Sequence, residues 1–317
     1  MARDVVLVNE AELAAEPRIV TIGTFDGVHR GHQMLLRRAI ERARTRDMRS
    51  LALTFEPIPA MVLRPDKFAG RICTQDEKLE RLVATGVDQV LVMTFDTALS
   101  RQSPEQFMQH LATATNLREL WVGEAFALGK DRAGNVERLT AIGQELGFAV
   151  HALPRLTDET GVISSSAIRA AIMSGDAERA HDQLGRPFRV TGEVIHGAHL
   201  GREIGYPTAN VVPPVDLAPL ADGIYVSCAT LPGETEARQA MTYVGTRPTV
   251  NSGVRLVETH LLDFEGDLYG QTIAVDVLKQ LRGDQTFASL EALIEQLRRD
   301  EEATRAYFDA RASAPRQ

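Results

Sequence analysis

The chain has 317 residues, 44% of them apolar and 25% charged, with a net charge of −8 and a pI near 5.6. This is the make-up of an ordinary globular protein long enough for two domains, and its acidic balance argues against a nucleic-acid-binding surface while leaving room for local phosphate pockets. No run approaches the roughly 20 apolar residues of a membrane helix, the N-terminus lacks the apolar core of a signal peptide, and Cys73 and Cys228 stand too far apart for a metal or disulfide framework, so the cytoplasm is the expected compartment.

The first half alternates two kinds of run. Strands are predicted at Arg18–Gly23, Ser50–Phe55, Gln89–Phe95, Glu119–Gly123 and Phe148–Ala152. Helices are predicted at Gly31–Arg46, Gln75–Ala84, Pro104–Thr115 and Val136–Leu146, with Ser103 as an N-cap before Pro104. Such alternation implies a mainly parallel α/β sheet, with ligands beyond the carboxyl ends of its strands. The character changes near residue 185. β-Branched runs at Phe188–Ile195, Gly223–Leu231, Ala240–Val244, Leu256–Phe264 and Thr272–Leu278, separated by turn residues, predict a small antiparallel barrel or sandwich. A closing helix from about Ser289 to Ala312 carries Leu290, Leu293, Ile294 and Leu297 as an apolar stripe, and Ser313–Gln317 should fray.

The first strand runs into Gly23-Thr24-Phe25-Asp26-Gly27-Val28-His29-Arg30-Gly31-His32, and a helix follows. A strand, a glycine-bracketed turn and a helix N-terminus together make an anion site, because free N–H groups and a partial positive charge converge there. Gly27 and Gly31 permit close backbone approach, and His29 and His32 can donate hydrogen bonds to a phosphate. Further on, Ile163-Ser164-Ser165-Ser166-Ala167-Ile168-Arg169 sets three hydroxyls beside a phosphate-binding arginine. In the second half, Gly192 to Asn210 holds Gly197, His199, Gly201 and Pro207-Thr208-Ala209-Asn210. Thr208 and Asn210 point the same way in extended chain and offer hard oxygen donors suited to Mg²⁺.

The histidine turn resembles the His-x-x-His signature of nucleotidyltransferases, and with its flanks it is similar to the bacterial bifunctional riboflavin kinase/FAD synthetases. The resemblance continues through Pro207-Thr208-Ala209-Asn210, Asp222-Gly223-Ile224-Tyr225, Val244 to Val250, Val257-Glu258-Thr259-His260 and Asp267-Leu268-Tyr269-Gly270, from about Ile19 to Phe308. It implies an adenylyltransferase domain at 1–185, converting FMN to FAD, and a riboflavin kinase domain at 186–317, converting riboflavin to FMN. By the same resemblance ATP is the co-substrate and Mg²⁺ the cofactor, with Thr208 and Asn210 as its ligands. Glu258 would be the base for the riboflavin 5′-hydroxyl, and His29 and His32 would stabilise the triphosphate. Gly23, Phe25, Gly27, Gly31, Ser164, Ser165, Arg169, Gly197, Gly201 and Pro207 complete the nucleotide-binding set.

Some positions depart from the family pattern. Ser166 replaces Thr, Leu128 replaces Phe, Ala125 stands where a polar residue is usual, and Ile58 stands where His is usual. Two rival readings follow: a riboflavin kinase with an impaired first domain, or a flavin-binding regulatory protein on the same scaffold. The expected partners are small molecules, with no nucleic acid and no membrane, in a monomer or weak homo-oligomer.

Overall fold

Five consecutive buried residues, Arg18-Ile19-Val20-Thr21-Ile22, make the strand around which the first half is built. The computed structural model describes residues 6–9, 13, 16–197, 200–246 and 255–313 and divides into two compact units, Met1–Ala167 and Ile168–Gln317. The Ala198-His199 pair, residues 247–254 and the tail from Ala314 lie outside the described residues.

In order, the first unit holds β1 (Val6–Val8), β2 (Arg18–Ile22), α1 (Arg30–Thr45), β3 (Arg49–Glu56), α2 (Pro59–Leu63), α3 (Gln75–Ala84), β4 (Gln89–Thr94), α4 (Thr97–Ser100), α5 (Pro104–Thr115), β5 (Leu117–Gly123), α6 (Val136–Leu146), β6 (Ala149–Leu153) and a hairpin of β7 (Thr157–Asp158) with β8 (Gly161–Val162). The sheet order is β1-β4-β3-β2-β5-β6, with every pairing parallel. The chain leaves β2 toward β3 on one side, and β5 lies on the other, so the order reverses beside β2. In open α/β sheets the ligand crevice lies at that reversal, beyond the strand carboxyl ends. The turn carrying His29 and His32 therefore emerges at the switch point.

Local chemistry explains the helix limits. Leu35, Leu36, Ala39, Ile40 and Ala43 give α1 one buried face. Thr74 caps α3, Asn135 caps α6, and Ser103 with Gln106 closes a full capping box on α5 behind Pro104. Gly147 ends α6 in the left-handed conformation. The predicted limits of α3, α5 and α6 coincide with those observed.

α7 (Ser165–Ser174) spans the division between the units, and α8 (Ala177–Leu184), β9 (Phe188–Ile195), α9 (Leu200–Glu203), β10 (Ala209–Val211), β11 (Gly223–Thr230), β12 (Arg238–Thr246), β13 (Arg255–Leu261), β14 (Thr272–Gly283) and α10 (Leu290–Ala312) follow. The six strands close into an antiparallel barrel, β10-β13-β12-β11-β14-β9. Between a barrel and a sandwich, closure decides for the barrel, and it leaves no edge strand unpaired. β14 runs on past Leu278 to Gly283 because Lys279, Gln280 and Arg282 stay paired with β11 through register shifts. On one face of β13, Thr259 joins Thr242 and Ser227 in a chain of fully buried hydroxyls at 3.0 and 2.7 Å. On the other face, Asn210, Glu258, Tyr243 and Ile224 form one cross-strand row.

Ser289 caps α10 through its bond to Ala292 N. The expected apolar stripe is only partly used: Leu290 is 45% exposed, while Leu297 packs with Tyr206, Ile224, Met241 and Tyr243. Polar contacts do the rest. Asp300 accepts from Arg282 Nε and Nη2 at 3.0 and 2.8 Å, and Asp263 accepts from both terminal nitrogens of Arg305.

Candidate active sites

The first site grows from the turn after β2. Phe25 (φ 48°), Gly27 (φ 78°) and Val28 (φ 40°) all lie in the left-handed region. A β-branched residue there costs of order 1–3 kcal/mol, a strain that surrounding contacts must hold in place. Four contacts do so. Asp26, 1% exposed, accepts from Ile72 N at 2.8 Å. Thr54 Oγ1 donates to Thr24 O, Gln33 Nε2 donates to Val28 O, and Ser165 Oγ donates to Asp26 O at 3.1 Å.

This frame aims the histidines at one spot. His29 is the N-cap of α1, its Nδ1 accepting from His32 N at 3.4 Å. An accepting Nδ1 puts the neutral ring's proton on Nε2. The two imidazoles stack with centroids 3.6 Å apart, and His32 meets the Phe25 ring edge-on at 5.2 Å. Burial, and then the neighbouring His29, hold the His32 pKa well below the usual histidine value. His32 Nδ1 is buried with no hydrogen-bond partner among the described residues. An unsatisfied ring nitrogen beside a helix N-terminus is a place that an anion completes.

The other expected residues take different places. Gly23 and Gly31 abut the rings of Phe25 and His29. Phe25 itself is fully buried with Val28, Leu36 and Ile40, so it shapes the turn from beneath. Ser164 Oγ accepts from Ala167 N at the start of α7, and Arg169 follows one turn after Ser165 on that helix. Of the departures from pattern, Ala125 is exposed, its carbonyl accepting from Arg132 Nη2 at 3.2 Å, whereas Ile58 is 4% exposed and begins α2. Sequence reasoning missed the neighbouring cluster in which Glu56 binds Arg71 at 2.6 Å and the almost fully buried Lys78 at 3.1 Å. These partners lie 15 and 22 positions from Glu56, and no local pattern marks them.

The second site lies on the barrel. Asn210 on β10 faces Glu258 on β13, and Tyr243 on β12 faces Glu258 from the other side. Directly opposed residues bring their Cβ atoms to about 5 Å. Asn210 and Glu258 are 7% and 8% exposed, so an amide and a carboxylate sit together in a largely dry place. One step beyond β10, the register brings Thr208 level with His260. The glycines pack over this motif. A Cβ on Gly197 would lie 2.5 Å from Asn210 Nδ2, and one on Gly201 would lie 2.3 Å from Tyr206 O and 3.5 Å from Thr208 Oγ1. No other residue type lets the loop pass so close. Tyr206 N donates to Gly201 O at 2.7 Å, which ties loop and motif together. Arg282 is committed to Asp300, so its part here is to fix α10.

Comparison with known proteins fits this division. Residues 11–167 match the family model for FAD synthetase, and residues 184–308 match that for riboflavin kinase. The chain is 37% identical over 301 residues to the bifunctional riboflavin kinase/FMN adenylyltransferase of Escherichia coli K12, covering 95% of this chain and 96% of that one. It is 38% identical over 294 residues to the same enzyme of Pseudomonas fluorescens, covering 91% and 92%. A solved Streptococcus pneumoniae structure described as a macrolide-efflux protein shares the fold, with a TM-score of 0.85 and 31% identity over 95% of this chain and 99% of that one. Among the described residues, no helix is long and apolar enough to cross a membrane.

Proposed function

The chain belongs to the bifunctional riboflavin kinase/FMN adenylyltransferase family, and from that premise we propose how its residues divide the two reactions. The enzyme phosphorylates riboflavin to FMN with its C-terminal kinase domain and adenylylates FMN to FAD with its N-terminal domain. We put the functional boundary between residues 185 and 186, where Gly185 ends α8 in the left-handed conformation just before β9.

In the kinase, Thr208 and Asn210 hold Mg²⁺-ATP. Their side-chain oxygens suit Mg²⁺, which takes few protein ligands and keeps phosphate and water for the rest. Bound there, the ion would neutralise charge on the phosphates. Glu258 takes the proton of the riboflavin 5′-hydroxyl as its oxygen bonds to the γ-phosphorus, and the bond to ADP breaks. The observation that carries this reading is the cross-strand pairing of Asn210 with Glu258, which supports a base beside the nucleotide.

In the adenylyltransferase, a phosphate oxygen of FMN attacks the α-phosphorus of ATP and pyrophosphate leaves, with no covalent enzyme intermediate. His29, His32 and the N-terminus of α1 receive the charge that develops on the triphosphate. Neutral His32 donates one N–H, and a bound triphosphate raises its pKa toward the charged form. Ser164, Ser165 and Arg169 complete the phosphate contacts, while Gly23, Gly27 and Gly31 let the backbone approach.

The partners are small molecules, with neither nucleic acid nor membrane involved, and the working form is a monomer or weak homo-oligomer in the cytoplasm. Incubation of the protein with riboflavin, ATP and Mg²⁺, and in parallel with FMN, tests both halves by chromatography of the flavins. FAD from both starts is the expected result. FMN alone from riboflavin, and nothing from FMN, would silence the first site.

A further inference from the structure

We propose that His260 is a positioning residue of the kinase: its imidazole holds the Pro207 carbonyl and thereby the peptide plane on which Thr208 sits. The inference rests on the assignment of Thr208 and Asn210 to Mg²⁺-ATP.

His260 Nδ1 lies 2.8 Å from Pro207 O. A carbonyl only accepts, so Nδ1 carries the proton and the histidine donates. β10 begins at Ala209, so Pro207 and Thr208 precede the ladder that fixes Asn210 opposite Glu258. The proline ring locks φ near −65°, which leaves ψ as the one soft angle before Thr208. That angle sets where the Pro207 carbonyl points and how the Thr208 peptide is turned, and a single hydrogen bond on the carbonyl fixes it. The ring of Tyr206, just upstream, meets the His260 ring at 5.2 Å and 62°, which steadies the imidazole from the side.

β13 thus supplies two functions from one face. Side chains two apart on a strand share a face, so Glu258 and His260 both address β10 and the residues leading into it. Glu258 faces the amide of the motif, and His260 clamps the turn into its hydroxyl. The relative position of the nucleotide-holding groups and the base is then set within a single strand, where register errors cannot accumulate. Displacements near 1 Å at such a site cost on the order of a hundredfold in rate.

The test is steady-state riboflavin kinase kinetics on the full-length protein, varying Mg²⁺-ATP and riboflavin separately, for wild type, H260L, H260N and H260Q. Losing one neutral hydrogen bond should raise KM for Mg²⁺-ATP by about threefold to tenfold in H260L, with KM for riboflavin within about twofold of wild type. The Asn amide nitrogen occupies the place of Nδ1, so H260N should recover most of the loss. The longer Gln places its nitrogen nearer to Nε2 and should not. An unchanged KM for Mg²⁺-ATP in H260L overturns the proposal, as does a parallel rise in both constants that H260N fails to separate, or equal rescue by H260Q. Wild-type protein that makes no FMN removes the kinase reading itself, and the positioning role with it, a result distinct from the other three.

Discussion

Asn210 and Glu258 are direct cross-strand partners, and both are more than nine-tenths buried. The amide and the carboxylate therefore belong to one rigid pair of strands, whose spacing the ladder fixes. If Glu258 is the base, Glu258→Gln keeps the shape and the neighbours but removes the proton acceptor. FMN formation should fall by about 10²–10⁴ in kcat, with KM for Mg²⁺-ATP little changed. FAD formation from FMN should be untouched. An FMN rate within a few-fold of wild type would move the base elsewhere.

The glycines above this pair are tested by adding a single methyl group. On Gly201 the new Cβ meets the Tyr206 carbonyl at 2.3 Å, a backbone atom that cannot step aside. On Gly197 it meets the Asn210 amide at 2.5 Å, a side chain that can rotate only by giving up its place opposite Glu258. G201A should therefore lose about 1–3 kcal/mol of stability, as overpacked sites do. G197A should unfold near the wild-type temperature but bind Mg²⁺-ATP several-fold more weakly. Thermal unfolding with and without nucleotide separates the two, and equal behaviour of the variants would show that the loop moves as a unit.

His32 links the first site to pH. Burial, with His29 adding to it, lowers its folded pKa well below about 6.5, the value an unfolded histidine has. Between those two values the unfolded chain binds the extra proton and the folded one does not, so stability rises with pH. The contribution is fully present above about pH 6.5 and is lost as pH falls toward the folded pKa. H32Q, which cannot take that proton, should show a shallower fall in melting temperature between pH 7.5 and pH 5 than wild type. Parallel slopes would mean that the site is open enough to protonate freely. In the same variant, FAD formation should drop by about 10²–10³ while FMN formation persists, because the amide cannot take up positive charge opposite the developing negative charge as the imidazole can.

How much of this the sequence carries follows the range of the interactions. The His29/His32 turn and the limits of α5 are local patterns, set by glycine and capping within a few residues, and the structure places them as expected, while of the Pro207–Asn210 stretch Ala209 and Asn210 lie in β10. Phe25 reads as part of the nucleotide motif, yet its ring turns into the core, because a left-handed backbone at that residue points it beneath the turn. The Leu290 stripe reads as buried, but the helix is held at Asp300 and Arg305 by partners 18 and 42 positions away. The bond from His260 to Pro207 spans 53 positions and becomes visible only once β10 and β13 pair. Chemistry confined to one turn or strand was legible, whereas chemistry assembled by strand pairing needed the fold.

The two departures at the first site are physically unlike, and they predict opposite outcomes on reversal. Ala125 is exposed, and its carbonyl accepts from Arg132 at 3.2 Å. A125N adds an amide without disturbing any packed side chain, so the melting temperature should stay within about 2 °C, because exposed substitutions of this kind are close to neutral. If that position faces the reacting nucleotide, FMN adenylylation should rise by about tenfold, the worth of one well-placed hydrogen bond of about 1.4 kcal/mol. Ile58 is 4% exposed and its side chain fills space at the start of α2. I58H puts a polar ring where an aliphatic side chain packs, and should cost about 1–3 kcal/mol unless the imidazole finds a partner. Rates of FAD formation set beside melting temperatures for the two single variants and the double decide the matter. A faster A125N with a destabilised I58H would make Ala125 the position that limits the rate, and Ile58 a change the fold has already absorbed. An A125N no faster than wild type would show that the site gets its contact from another group.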